Sequence, residues 1–76
     1  MKSFNLNHYV YIRLTKLGRD HVATDPVWQY NKVDDEGWTR VQLWEVMASF
    51  GDLLGNGRPV PFETYIRIAE KDLEDL

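Results

Sequence analysis

Apolar and polar positions alternate with period two over residues 8–14, "HYVYIRL". Val10, Ile12 and Leu14 fall on one side, and Tyr9, Tyr11 and Arg13 on the other. β-branched and aromatic residues suit a pleated, half-buried surface, so the stretch predicts a strand. The same period returns over residues 63–69. There Thr64, Ile66 and Ile68 share one face while Tyr65 and Arg67 share the opposite one. After the first strand, Thr15 stands in the N-cap position of a short helix from Lys16 to about Val22. Gly18 weakens that helix by roughly 1 kcal/mol relative to alanine, and it allows a neighbouring element to approach closely.

The richest apolar stretch is "GWTRVQLWEVMASFG", residues 37–51. Thr39 followed by Gln42 fits a capping box, in which two side chains satisfy orphan backbone groups reciprocally. Gly51 fits the left-handed position just past a helix end, with Leu53 supplying the accompanying apolar contact. These signals predict a helix over residues 40–50. At about 100° per residue, Val41, Leu43, Trp44, Val46, Met47, Ala48 and Phe50 cover an arc of roughly 220°. A helix lying on one sheet needs only about 100° of apolar stripe, so this one is covered on two sides or leaves apolar surface showing.

The remaining stretches read as irregular. Asp25-Pro26 biases the chain out of helix within residues 23–36, because the proline ring crowds the residue before it. Val27, Trp28, Tyr30 and Val33 can still pack locally. Asp34-Asp35-Glu36-Gly37 reads as a solvated turn, and Gly-Asn-Gly-Arg-Pro-Val-Pro at 55–61 is turn chemistry throughout. The expected architecture is a small single α+β domain over residues 1–69. A two-stranded ribbon, antiparallel by preference, packs on one main helix, with the short helix beside it. Residues 8–14 pair with 63–69, and their Val10, Ile12, Leu14, Ile66 and Ile68 face lies on Val41, Trp44 and Met47. Residues 70–76 form an acidic flexible tail.

Size and charge narrow the choices further. The chain has 76 residues and no cysteine, so one domain is expected, with neither disulfide nor thiolate metal cage. The net charge of −3 resides in the tail, since residues 1–69 hold eight basic and eight acidic side chains. A phosphate-tracking protein needs a concentrated basic face. No run in the sequence supplies one, although folding can gather a few cations. No apolar run approaches the roughly 18 residues that span a bilayer. A cytosolic location without membrane contact is the default expectation.

Catalytic chemistry finds little to work with. His8 opens a strand and His21 sits near a helix end, where a charged imidazole favours the helix dipole. Ser3 and Ser49 lack a nucleophile-elbow context. Asp34, Asp35 and Glu36 are contiguous, which suits a turn better than a calcium loop with alternating ligands. Gly55-Asn56-Gly57 lacks the lysine and hydroxyl residues of a phosphate loop. Trp28, Trp38 and Trp44 serve a small core more readily than a ligand cage. A DNA-reading helix needs more than Gln42 and one arginine on its exposed face. No enzymatic activity, cofactor, metal or sequence-specific nucleic acid is therefore expected.

Binding is what the pattern offers instead. Tyr9, Tyr11, Arg13, Tyr65 and Arg67 project together from the ribbon, and tyrosine and arginine are enriched where surfaces meet partners. Tyrosine also has good strand propensity on ordinary solvated sheet faces. Phe4 and Asn7 extend the candidate surface from the flanking N-terminal segment. The free edge of the ribbon could accept a partner strand.

Three segments are familiar in combination: "YVYIRLTKLGR" at 9–19, "WTRVQLWEVMASFG" at 38–51 and "PFETYIRI" at 61–68. A strand ending in Leu-Thr-x-x-Gly, then Trp-x-x-x-Gln-Leu-Trp-Glu-x-Met-x-x-Phe-Gly, then Pro-Phe-Glu, resembles small proteins encoded by tailed phages. Among them it resembles phage-encoded regulators of host transcription that bind bacterial RNA polymerase. The resemblance implies a protein that suppresses σ-dependent initiation and promotes terminator read-through. It does not imply which residues bind. A monomer in the cytoplasm of the infected host is expected. An inhibitor of another host complex, such as a defence nuclease, and a single-stranded nucleic-acid binder are the alternatives. The acidic tail is expected to steer the chain toward a basic partner surface.

Overall fold

The computed structural model describes residues 1–75. The elements run β1 (Lys2–Phe4), β2 (Tyr9–Arg13), α1 (Lys16–Val22), α2 (Pro26–Gln29), β3 (Trp38–Gln42), α3 (Leu43–Phe50) and β4 (Leu73–Asp75). Short 3-10 turns occupy Gly51–Leu53 and Glu70–Asp72. The chain is a small α+β fold with an antiparallel ribbon, one main helix and shorter helices, as the sequence pattern indicates.

The principal ribbon pairs β2 with β3, in register from Tyr9↔Gln42 to Arg13↔Trp38. This corrects the expected helix over 40–50, whose first three positions belong instead to β3 and its end. The capping box does not form. Thr39 is buried in the strand, and Gln42 is the N-cap of α3 without a side-chain capping bond. The Gln42 amide is used elsewhere: Nε2 donates to the Asn7 carbonyl at 2.9 Å, and Oε1 accepts from the Trp44 indole at 3.1 Å. Gly51 is right-handed, with φ −53° and ψ −40°, and leads into a 3-10 turn rather than a left-handed cap.

Segment 61–68 does lie antiparallel beside β2, but only through the isolated bridges Leu14↔Phe62 and Tyr11↔Arg67. Three steps along β2 face five steps along the partner, so two residues are surplus to a regular ladder. They bulge outward, and a continuous strand over 63–69 is excluded. Val33 bridges Thr39 on the far side of β3. Irregular segments therefore flank both sides of the ribbon, and the free ribbon edge expected from the sequence is occupied at these points.

The core follows the period-two reading of β2. Val10, Ile12, Val22, Trp28, Val41, Val46 and Phe50 are buried together, with Phe4, Leu14, Leu43, Leu53, Phe62 and Ile68 packed around them. Fully burying such a side chain is worth about 1.5–3 kcal/mol. Val10 lies directly opposite Val41, so the two strands present one apolar surface to α3. The expected roles of Trp44 and Met47 are overturned: they are 45% and 56% exposed. Ile66 is likewise exposed. The wide apolar arc of α3 is covered only on the side carrying Val46 and Phe50, and part of it faces solvent.

Trp28 takes the core position instead. Asp25 is extended at φ −84° and ψ 111°, and its side chain accepts from the Val27 amide at 2.9 Å. Pro26 then occupies the first helical turn, where its missing N–H costs nothing. The proline that was expected to exclude helix restricts only the residue before it and starts α2. This turn aims the Trp28 ring at Phe50, 5.2 Å between centroids, and its indole N–H at Ser49 Oγ, 2.8 Å away.

Thr15 caps α1 as expected, accepting from the Gly18 amide at 3.3 Å. Its hydroxyl also donates to the Val60 carbonyl at 2.6 Å, and its amide donates to the Pro61 carbonyl at 3.0 Å. The last segment corrects the expectation of a tail outside the fold. Leu73–Asp75 pairs antiparallel with Lys2–Phe4, and Lys2 and Asp75 form an ion pair. Leu76 lies outside the described residues. Among the described residues, no helix is long and apolar enough to cross a membrane.

Candidate functional site

The outward side of the β2–β3 ribbon gathers cations and aromatic rings. Register places Tyr11 opposite Arg40 and Arg13 opposite Trp38. The Arg40 guanidinium stands 3.6 Å from the centre of the Tyr9 ring. Two further guanidiniums, of Arg13 and Arg67, lie over the Trp38 ring at 4.7 and 4.0 Å. Arg67 reaches this position because its backbone exchanges two 2.9 Å hydrogen bonds with Tyr11. Each such pairing contributes about 0.5–1 kcal/mol at an exposed site, and more where water is excluded. Here they also hold long, flexible side chains in fixed orientations.

A loop completes the face. The Asp34 carboxylate accepts from the Glu36 and Trp38 amides, both at 2.9 Å, closing a turn that Gly37 permits at φ +88°. The Asp34 amide donates to the Trp38 carbonyl at 2.9 Å, and the Arg40 amide to the Lys32 carbonyl at the same distance. Lys32, Val33 and Asp34 are thus tied along β3. The solvated turn expected at 34–37 is present, and its carboxylate positions Trp38.

Three adjoining clefts run over this face. One of about 320 Å³ is lined by Tyr11, Asp34, Trp38, Arg67, Ile68 and Ala69. One of about 300 Å³ shares Tyr11, Asp34 and Trp38 with it and adds Lys32, Val33 and Arg40. A third, about 220 Å³, continues past Lys32 and Arg40 to Tyr9, Tyr30 and Asn31. The shared residues make them one groove across the ribbon.

Charge within the groove is mostly positive. Arg13 lies 3.6 Å from Glu63, a long and half-exposed ion pair. The other ion pairs among the described residues involve Lys2 and Lys16, leaving Lys32, Arg40 and Arg67 without a carboxylate within 4.0 Å. Folding has gathered cations that are scattered in sequence. A cationic groove calls for an acidic counterpart, the opposite of the basic partner surface suggested by the tail.

Of the candidate residues, Tyr9, Tyr11, Arg13 and Arg67 come together here. Tyr65 does not join them: it sits in the bulge, 84% exposed, and lines none of the three clefts. Phe4 packs against the core, with its ring 5.7 Å from His8. Asn7 lies in the turn before β2, its carbonyl bound by Gln42. Lys32 and Arg40 were not singled out by sequence, and Trp38 and Asp34 were read there as core and turn residues rather than as part of this face. The signal was alternation within Trp38-Thr39-Arg40-Val41-Gln42, which matches the period of β2.

His21 lies away from this face. His21 Nε2 is 2.9 Å from the Ser49 carbonyl, and its ring packs on Phe50 at 5.7 Å. The three tryptophans occupy separate places: Trp28 in the core, Trp38 under the arginines and Trp44 at the exposed start of α3. Among the described residues, no three side chains are grouped to hold a metal ion. No protein-family model, no curated protein and no solved structure matches the chain significantly.

Proposed function

We propose that this chain is a non-enzymatic phage protein that binds host RNA polymerase in the cytoplasm of the infected bacterium. It suppresses σ-dependent initiation and promotes terminator read-through, acting as a monomer without a cofactor. The choice of polymerase rests on the three sequence segments that resemble phage regulators of transcription. The choice of binding over chemistry rests on one structural observation: a groove of adjoining clefts in which, among the described residues, Lys32, Arg40 and Arg67 stand without carboxylate partners beside held aromatic rings. Arginine and aromatic side chains fixed in place lose little entropy on association, which favours such a face as a docking surface.

Transcription in vitro tests this reading. With purified σ-bearing polymerase and a template carrying a promoter and a downstream terminator, the chain is expected to lower promoter-derived transcripts. When added to preformed elongation complexes, it is expected to raise the read-through fraction. Unchanged initiation and termination at saturating chain would discard the polymerase assignment.

A further inference from the structure

We infer that the groove recognises carboxylates on the partner: a protein surface bearing spaced Asp and Glu side chains rather than a nucleic-acid strand. This rests on the reading of the chain as a binding protein and names the chemistry of the surface it meets. Single-stranded nucleic acid binds aromatic sheet faces by stacking successive bases on open rings. Here two of the four lining rings, Trp38 and Tyr9, are taken, and Tyr11 and Tyr30 stay open. Trp38 is only 6% exposed beneath two guanidiniums, and Tyr9 carries Arg40 at 3.6 Å. What the groove presents is guanidinium N–H groups held by the rings behind them.

A planar guanidinium fixed in one orientation suits bidentate pairing with a carboxylate or a phosphate. The acid in the groove decides between the two. Asp34 lines both larger clefts. A polyphosphate backbone would run past it and meet an interrupted cationic track, whereas nucleic-acid affinity grows with the number of phosphates neutralised. Discrete carboxylates can engage Arg40 and Arg67 while avoiding Asp34.

The test follows arginine Nε–H, tryptophan indole and backbone signals by NMR in the full chain at low salt. The titrants are an eight-residue Glu-Ser repeat peptide, the same peptide with Lys for Glu, and an eight-nucleotide oligo(dT). The Glu peptide is expected to shift the Arg40, Arg67 and Trp38 signals saturably, and the Lys peptide is not. Arg40→Lys and Arg67→Lys, which keep charge but lose the planar fork, are each expected to weaken the Glu peptide at least fivefold while leaving the remaining spectrum native. Three results would each overturn the inference: no shift of the arginine signals, undiminished affinity in both lysine variants, or tighter binding of oligo(dT) than of the Glu peptide. Glu-peptide binding of the expected kind, in a chain that fails to bind polymerase, would support the inference and remove the polymerase. Polymerase binding unchanged by the lysine variants would do the reverse.

Discussion

The carbonyl oxygen of Pro61 lies 1.9 Å from where a Cβ on Gly18 would stand, so α1 and the segment entering the groove's edge touch backbone to backbone. Neither partner is a flexible side chain, so a methyl group there requires one backbone to move. Gly18→Ala gains roughly 1 kcal/mol of helix propensity. The clash outweighs it, and a net loss of about 1–3 kcal/mol is expected from urea denaturation. Near-neutral behaviour would mean that the helix and segment 61–68 are not packed as described.

Trp28 and Trp44 are expected to behave oppositely when truncated. Trp28→Ala removes a buried ring from the core and should cost about 3–5 kcal/mol. Trp44→Ala acts at a half-exposed site and should cost less than about 1 kcal/mol. Ser49→Ala leaves the Trp28 indole without its acceptor and should cost about 1–3 kcal/mol. Chemical denaturation of the three variants ranks them, and a Trp44→Ala chain less stable than Trp28→Ala would reverse the assignment of inside and outside.

The Asp34 carboxylate supports Trp38 through two hydrogen bonds to the turn. Asp34→Ala should cost about 1–2 kcal/mol and move the Trp38 indole signal in NMR spectra. Arg67→Ala should change stability by no more than about 1 kcal/mol while moving the same signal, because a cation–π contact is lost without opening the core. An unmoved signal in the Arg67 variant would remove Arg67 from the face.

The pairing of Lys2–Phe4 with Leu73–Asp75 gives a prediction about exchange. Ending the chain at residue 72 should cost about 1–2 kcal/mol, largely from the half-buried Leu73, and speed hydrogen exchange of the β1 amides. The exposed Lys2–Asp75 ion pair contributes little of that. Unchanged exchange at Lys2–Phe4 would place residues 73–75 away from β1.

Much of β2 and α1 was legible in the sequence because local signals there agree with the tertiary environment. Val10 and Ile12 point inward, Thr15 caps the helix, and Gly18 permits the close approach of Pro61. β3 was hidden because it runs directly into α3 with no intervening turn. Thr39 and Gln42 happen to have capping-box spacing, and Val41 fits either period. With β3 mistaken for helix, the phase of Trp38 and Arg40 was lost, and half the groove with it. Tyr9, Tyr11, Arg13 and Arg67 could still be brought together, because they lie on β2 and on the segment bridged to it. Tyr65 left the face for a reason that sequence periodicity does not carry, the two surplus residues between the Leu14 and Tyr11 bridges.

The proposed docking on RNA polymerase through Arg40 and Arg67 is tested most directly by isothermal titration of purified bacterial polymerase with the native chain and with an Arg40→Ala/Arg67→Ala double variant. The expected result is saturable binding of the native chain and at least a tenfold loss in the double variant, about 1.4 kcal/mol or more, with an unchanged thermal midpoint. Equal affinity of the two proteins, or no binding by the native chain, would contradict the account.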